Sequence, residues 1–237
     1  MSCKVYLLSH TPEPDNLVAA AARICYSDAA ASDLLERESE QLSARLLREL
    51  LRGGHHSPFE HASFTFWVDG LSRVASHQLV RHRVASFSQQ SQRYVKMDRP
   101  EVVVPPSVAS NPRAKELFES QVKAAFEAYK TLLASGIPAE DARFILPHGW
   151  ETRLVFTMNA RELHHFFKLR LCRRAQWEIQ ELARLMLAEC RKIAPVAFDL
   201  AGPLCVADQC RESHPCGRPY QNMEDLLGKN HDDGNTE

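Results

Sequence analysis

The stretch GGHHSPFEHASFTFWVDGLSRVASHQLVRHRVASFSQQSQRY (53–94) holds the readings on which the fold turns. Within it, HASFTFWVD (61–69) alternates. Ala62, Phe64, Phe66 and Val68 fall on one side of an extended chain, and Ser63, Thr65 and Asp69 on the other. That is the period of two of a half-buried strand. From 71 the period lengthens: Leu71, Val74, Ala75, Leu79 and His82 recur at helical spacing and predict a helix over 71–82. VASFSQQSQRY (84–94) shows neither period and reads as a polar loop.

Working outward, CKVYLL (3–8) predicts a strand, and DNLVAAAARICY (15–26) a helix with Asp15 as its N-cap. A longer helix is expected over about 32–52. Ser32 would cap it, Leu35, Leu42, Leu46 and Leu50 mark its spacing, and Gly53-Gly54 ends it. Pro100, Pro105, Pro106 and Pro112 predict an irregular connection. Over 113–135 the residues Ala114, Leu117, Phe118, Val122, Ala125, Phe126, Tyr129, Leu132 and Leu133 form one apolar stripe, suited to burial in a core or an interface. A short helix after Pro138, a strand at WETRLVFTMN (150–159) and helices at about 160–171 and 175–193 complete the pattern. Long helices with a few separated strands argue for an α+β domain over 1–200. Residues 201–237 read as a C-terminal extension, with HDDGNTE as a mobile tail.

Composition narrows the function. The 237 residues include 44% hydrophobic and 25% charged, ordinary for a folded soluble chain and far from disorder. No apolar run nears the roughly 20 residues of a membrane helix, and MSCKVYLLSH lacks the shape of a signal peptide, so a cytoplasmic protein free of membrane is expected. The net charge of -1 opposes a nucleic-acid coat. The basic residues are 8 Lys and 21 Arg, a bias of either genomic origin or phosphate and carboxylate gripping. Seven Cys is an odd count, and no disulfide framework is expected. Cys3, Cys25, Cys172 and Cys190 read as small buried hydrophobes. Cys205, Cys210 and Cys216, with His214, superficially suggest zinc, but they lack the close pairs of structural sites. They read as part of a loosely packed extension not needed for catalysis.

Familiar chemical templates are absent. There is no Gly-x-Gly-x-x-Gly, no phosphate loop, no Gly-x-Ser-x-Gly elbow and no His-Glu-x-x-His helix. Nucleotide phosphates would have to be held by side chains, mainly Arg. Three constellations remain. GGHHSPFEH (53–61) collects His55, His56, Ser57, Glu60 and His61, as a plain polar turn, a ligand-contacting turn or, against the usual spacing, a metal site. RHRVASFSQQSQRY (81–94) puts three Arg and a His among hydroxyls without an acidic residue. It reads as a solvated charge run or as an anion pocket. NARELHHFFKLRLCRRAQWEIQ (159–180) starts on Asn159, a good N-cap, and carries Arg161, His165 and Arg170 on a helix apolar over most of its circumference. It is either a surface helix or one whose Arg161 and Arg170 are partly buried and need anionic partners, for which Glu162, Glu178 or a ligand could serve.

The order RHR-x2-Ser-x4-Ser-x-Arg-Tyr, from Arg81 through Ser86 and Ser91 to Arg93-Tyr94, resembles the signature of the flavin-dependent thymidylate synthases. HSPFEH (56–61), RFILP (143–147), NAREL (159–163) and LR…AQWEIQ (169–180) resemble that family's other blocks, in order, over 53 to about 195. The resemblance implies an antiparallel or mixed sheet with long flanking helices and a homotetramer with active sites at subunit interfaces. It implies FAD as cofactor, NADPH as reductant and 5,10-methylenetetrahydrofolate as carbon donor, with dUMP converted to dTMP and tetrahydrofolate released.

By the same resemblance, flavin contacts map to His55, Ser57, Arg81, His82, Arg83, Gln89, Asn159, Arg161 and His165. Contacts to dUMP map to Gln78, Leu79, Arg81, Gln89, Gln90, Ser91, Gln92, Arg93, Arg143 and Arg170. No metal ligand is implied. Gln89 stands where many members carry Glu, and His165 where many carry Asn; both can still donate and accept hydrogen bonds. The chemistry requires an electron-rich uracil C5. The signature loop offers no Cys, and Ser91 has no paired base in the sequence, so it is assigned to positioning. Arg170, always protonated, is the expected catalytic residue, stabilising the anionic ring beside N3 and O2. A metal-dependent hydrolase using the His residues of 55–61 and 164–165 and an Arg-rich nucleic-acid module are the rival readings.

Overall fold

The computed structural model describes residues 3–35, 40–207 and 209–228. In chain order its elements are β1 (Lys4–His10), α1 (Pro14–Arg23), α2 (Ala31–Leu35), α3 (Glu40–Gly53), β2 (Ser63–Ser72), α4 (Arg73–Leu79), β3 (Ala85–Gln89), α5 (Pro106–Ala109), α6 (Pro112–Ala134), α7 (Ala139–Ala142), β4 (Glu151–Asn159), α8 (Ala160–Arg170), α9 (Trp177–Ile193), α10 (Leu204–Ala207) and α11 (Met223–Leu227). The strands form one sheet in the order β1-β2-β4-β3, an α+β arrangement.

The alternation read at 61–69 is the burial pattern observed: Ala62, Phe64, Phe66 and Val68 are wholly buried. β2 and β4 run antiparallel. Ala160 N–H donates to the Ala62 carbonyl, the Thr65 and Thr157 hydroxyls meet at 2.9 Å, and Arg73 N–H donates to the Trp150 carbonyl. Between the first and last of these bonds β2 carries one residue more than β4. Gly70 lies in that interval with φ 70, a conformation that costs glycine nothing. The shift turns Leu71 inward as well as Val68.

The chain divides into two compact units. The first holds Trp67–Arg81 and Phe87–Val155 with the start of the chain, and the second Val5–Phe66, His82–Ser86 and everything from Phe156. The core of the first unit is Phe126, Tyr129, Ala142, Leu146 and Trp150, with Met97, Val102, Leu132 and Leu133 packed on it. α6 supplies much of it, and Asn111 Oδ1 caps α6 by accepting the Ala114 N–H at 3.2 Å. Only part of the α6 stripe is buried, however; Leu117 is 63% exposed. In the second unit Phe198 is surrounded by Phe64, His164 and Phe167, at ring separations of 5.4, 5.3 and 6.0 Å. α9 buries Ile179, Leu182, Ala183, Met186, Leu187 and Cys190, and each large side chain so buried contributes about 1.5–3 kcal/mol.

Several sequence expectations are corrected. Residues 85–89 are a strand, not loop, because Ala85, Phe87 and Gln89 alternate with the more exposed Ser86 and Ser88 on the last strand of the sheet. The helix expected over 71–82 is shorter, since Leu71 and Ser72 finish β2 and the Ser72 hydroxyl caps α4 by accepting the Ala75 N–H. Asp15 is not an N-cap. It lies in the first turn of α1, and its carboxylate accepts the N–H groups of Val196 and Ala197 at 3.0 and 2.8 Å. Ser32 sits inside α2, bonded to Asp33, rather than capping a helix over 32–52. That span is described as α2 and α3, with residues 36–39 outside the described residues. Of the four scattered cysteines only Cys190 is buried, and Cys25 is exposed. The C-terminal segment packs at its two ends, while residues 209–219 between them are almost all exposed. Ala201, Tyr220 and Leu226 are buried, and Arg173 lies over the Tyr220 ring at 3.9 Å. The expected tail HDDGNTE lies outside the described residues.

Candidate active site

The residues singled out in the sequence fall into both units. Gln78, Leu79, Arg81, Gln89–Arg93 and Arg143 belong to the first, and His55, Ser57, His82, Arg83, Asn159, Arg161, His165 and Arg170 to the second.

In the second unit the site is built on the β4–α8 junction. Asn159 ends the strand, and its Oδ1 accepts the Glu162 N–H at 2.9 Å, starting α8 where the sequence places the cap. This sets Arg161 and His165 on an exposed face, with Glu162 turned inward. Arg161 is therefore not partly buried, contrary to the partly buried reading of α8. It pairs with Glu60 at the surface, because the buried face of α8 is taken by Glu162, Leu163, Phe166 and Phe167. A cavity of about 660 Å³ opens here, lined by His56, Glu60, Val84, Asn159, Arg161, Glu162, His164, His165 and Lys168. His56 lies among positive neighbours: burial first, then Arg161, Lys168 and His55, push its pKa below the ordinary value. Around His56 this makes a locally positive corner, although Glu60 and Glu162 balance Arg161 and Lys168 over the lining as a whole. The volume, with Arg161 and Lys168 as cationic donors beside Glu60 and Glu162, fits part of a dinucleotide such as FAD.

Behind the cavity wall, His82 is 4% exposed. Its Nδ1 lies 2.9 Å from Glu162 Oε1, and its Nε2 accepts from Arg170 Nε at 3.1 Å. Glu162 thus serves His82 rather than either Arg directly. Arg170 is half-buried at the end of α8, as the sequence reading allowed.

In the first unit Gln89 is fixed by two donated bonds, to Ser76 Oγ at 3.2 Å and Thr152 Oγ1 at 3.1 Å. The loop after it is pinned by the Gln90 N–H on the Arg153 carbonyl and by Arg73 Nη2 on the Gln90 carbonyl at 3.1 Å. Arg93 pairs with the Glu140 carboxylate at 2.7 Å and Arg143 Nε donates to the Glu140 carbonyl at 3.1 Å. Burial and the nearby charge of Arg143 push Arg73 below its ordinary pKa, because the two guanidinium groups repel each other. Arg73 escaped the sequence reading. A single Arg at a helix start forms no motif, and its orphaned, buried Nε is visible only in three dimensions. Leu79 is wholly buried and Gln92 nearly so, whereas Arg81, Arg83 and Arg93 are exposed.

A smaller cavity of about 180 Å³ lies between the end of α8 and the C-terminal segment, lined in part by Cys172, Cys205, Cys210 and Cys216. Among the described residues no group of three or more His, Cys, Asp or Glu is placed to hold a metal ion. No helix among them is long and apolar enough to cross a membrane.

Comparison with known proteins follows the same blocks. The family model described as thymidylate synthase complementing protein matches residues 6–196. A protein of Geobacter sulfurreducens named flavin-dependent thymidylate synthase is 50% identical over 218 residues, covering 91% of this chain and 94% of the relative. One of the same name from Clostridium tetani is 42% identical over 235 residues, covering 92% and 94%. Among solved structures, the UMP/dUMP methylase PolB from Streptomyces cacaoi, bound with 5-Br dUMP, aligns with a TM-score of 0.75 at 30% identity. That alignment covers 83% of this chain and 93% of PolB.

Proposed function

Since the chain belongs to the thymidylate synthase complementing protein family, we propose that it is a flavin-dependent thymidylate synthase that converts dUMP to dTMP. The carbon comes from 5,10-methylenetetrahydrofolate, and tetrahydrofolate is released. FAD, reduced by NADPH, supplies when bound the hydride that completes the methyl group. The observation that carries this reading is the cavity of about 660 Å³ lined by Asn159, Arg161 and His165, with His82 buried behind its wall and bonded to the half-buried Arg170.

In this reading His55, Ser57, Arg81, His82, Arg83, Gln89, Asn159, Arg161 and His165 hold the flavin. Gln78, Leu79, Arg81, Gln89–Arg93, Arg143 and Arg170 hold dUMP. Leu79, being buried, would act by shaping the pocket from behind. Arg73 joins this set by holding the Gln90 carbonyl. Arg170 stabilises the negative charge that develops on the uracil ring as C5 becomes nucleophilic. Ser91 positions: its hydroxyl accepts the Arg93 N–H at 3.2 Å and so shapes the loop. We place the enzyme in the cytoplasm as a homotetramer with sites at subunit interfaces. The exposed Leu117 and Phe144, at 63% and 84%, give such an assembly apolar surface to cover.

The test is a spectrum of the purified protein, followed by anaerobic addition of NADPH and then of dUMP and methylenetetrahydrofolate. Flavin absorbance that bleaches with NADPH, and dTMP formed together with tetrahydrofolate, is the expected result. A colourless protein that yields no dTMP after loading with FAD overturns the reading.

A further inference from the structure

His82 is held at both ring nitrogens, by Glu162 Oε1 at 2.9 Å on Nδ1 and by Arg170 Nε at 3.1 Å on Nε2. The outer two groups fix the roles of the inner one. An ionised carboxylate only accepts, so Nδ1 carries the proton; a guanidinium only donates, so Nε2 is bare. One neutral tautomer satisfies both bonds, and an imidazolium would lose the bond to Arg170. Burial, foremost, and the neighbouring Arg170 charge hold His82 below its ordinary pKa, against the opposing pull of Glu162. The ring is further fixed edge-on against Phe166 at 4.9 Å and His165 at 5.6 Å.

The placement of Glu162 is informative. It is the third residue of α8 after the Asn159 cap, the position from which a Glu side chain commonly turns back to cap its own helix. Here the carboxylate is instead buried against a residue 80 positions away in sequence.

We propose that Glu162 is a positioning residue for Arg170, acting through His82: by keeping the imidazole proton on Nδ1 it fixes the plane of the guanidinium, and with it the direction in which the two Nη groups donate. Without an acceptor at Nδ1 only the Arg170 donor itself opposes a proton on Nε2, and a proton there breaks the bond to Arg170. The inference rests on the reading of Arg170 as the group that stabilises the charged uracil.

The first measurement is nitrogen-15 NMR of the histidine rings in the FAD-loaded protein, with His82 assigned by its loss in His82→Asn. A protonated Nδ1 and bare Nε2 at neutral pH are expected; a protonated Nε2 overturns the proposal. The second is single-turnover dTMP formation. Glu162→Ala lowers the rate about 10- to 100-fold, by analogy with the loss when the partner orienting a metal-ligating imidazole is removed. Flavin content and the dUMP dissociation constant then move by less than about threefold. Glu162→Gln keeps an acceptor and most of the rate; if the alanine variant does not fold, Glu162→Leu, which fills the buried space without an acceptor, takes its place with the same expected loss. Added to Arg170→Lys, Glu162→Ala has no further effect, because both act on one group. A wild-type protein that makes no dTMP overturns the proposed activity and this role with it. An active wild type alongside full-rate Glu162→Ala and a wild-type rate in every Glu162 variant overturns this role alone.

Discussion

Nε2 of His164 lies 2.8 Å from the carbonyl oxygen of Ala197, and the ring stacks on Phe198 at 5.3 Å. This imidazole on α8 thereby ties the helix to the chain that follows α9. Burial lowers its pKa from 6.5 to about 4, the Ala197 bond only partly opposing the effect.

The consequence is acid sensitivity. Between pH 6.5 and about 4 the unfolded chain protonates His164 while the folded one does not, so stability falls as pH falls through that window and is unaffected above it. The full loss is about 3 kcal/mol. Urea midpoints at pH 7.5 and 5 should separate more for the wild type than for His164→Gln, which carries no titrating ring. Equal separations would show that His164 is not responsible.

Gln89 donates to two buried hydroxyls, and the Ser76 hydroxyl in turn donates to the Arg73 carbonyl at 3.0 Å. A carboxylate in its place would need both hydroxyls to reverse, and Ser76 can do so only by giving up Arg73. Gln89→Glu should therefore cost about 1 kcal/mol and Gln89→Leu about 1–3 kcal/mol. Denaturant unfolding of the three proteins checks this; an unchanged Glu variant would mean that the Ser76 bond is dispensable.

Arg170→Lys retains a charge but loses the planar fork and the in-plane Nε–H that meets His82. On the proposed function it should slow single-turnover dTMP formation on the order of 100-fold, the scale of losing one donor to a developing negative charge. Weakening of dUMP binding should stay below about tenfold. Equal losses in rate and binding would make Arg170 a plain binding residue.

Tyr220 is buried beneath Arg173, which also reaches Asp225 on α11 at 3.4 Å. Tyr220→Ala should cost about 2–4 kcal/mol, from lost burial and the cation–aromatic contact. Truncation after Leu200 should lower the melting temperature by at least as much as this substitution. Flavin absorbance should persist in both, since Tyr220 does not line the larger cavity. Loss of flavin together with release of zinc on truncation would assign the C-terminal cysteines a role that this reading denies them.

The sequence by itself determined the α+β class, the two inner strands read at 61–69 and 150–159, the cap at Asn159, and which segments carry the chemistry. Those features are local: a residue's burial follows its own neighbours at period two or 3.6, and a cap acts across three residues. Tertiary structure alone decided the rest. The strand at 85–89 was hidden because small polar residues on the last strand of a sheet give only a faint alternation. Asp15 looked like a cap until its carboxylate met backbone groups 181 and 182 residues on. Glu162 looked like a partner for its neighbouring arginines, yet packing brought His82 to it across 80 residues and handed Arg170 the other ring nitrogen. Spacing along the chain carries no record of which distant polar groups are buried together, and it is that shared burial which compels them to pair.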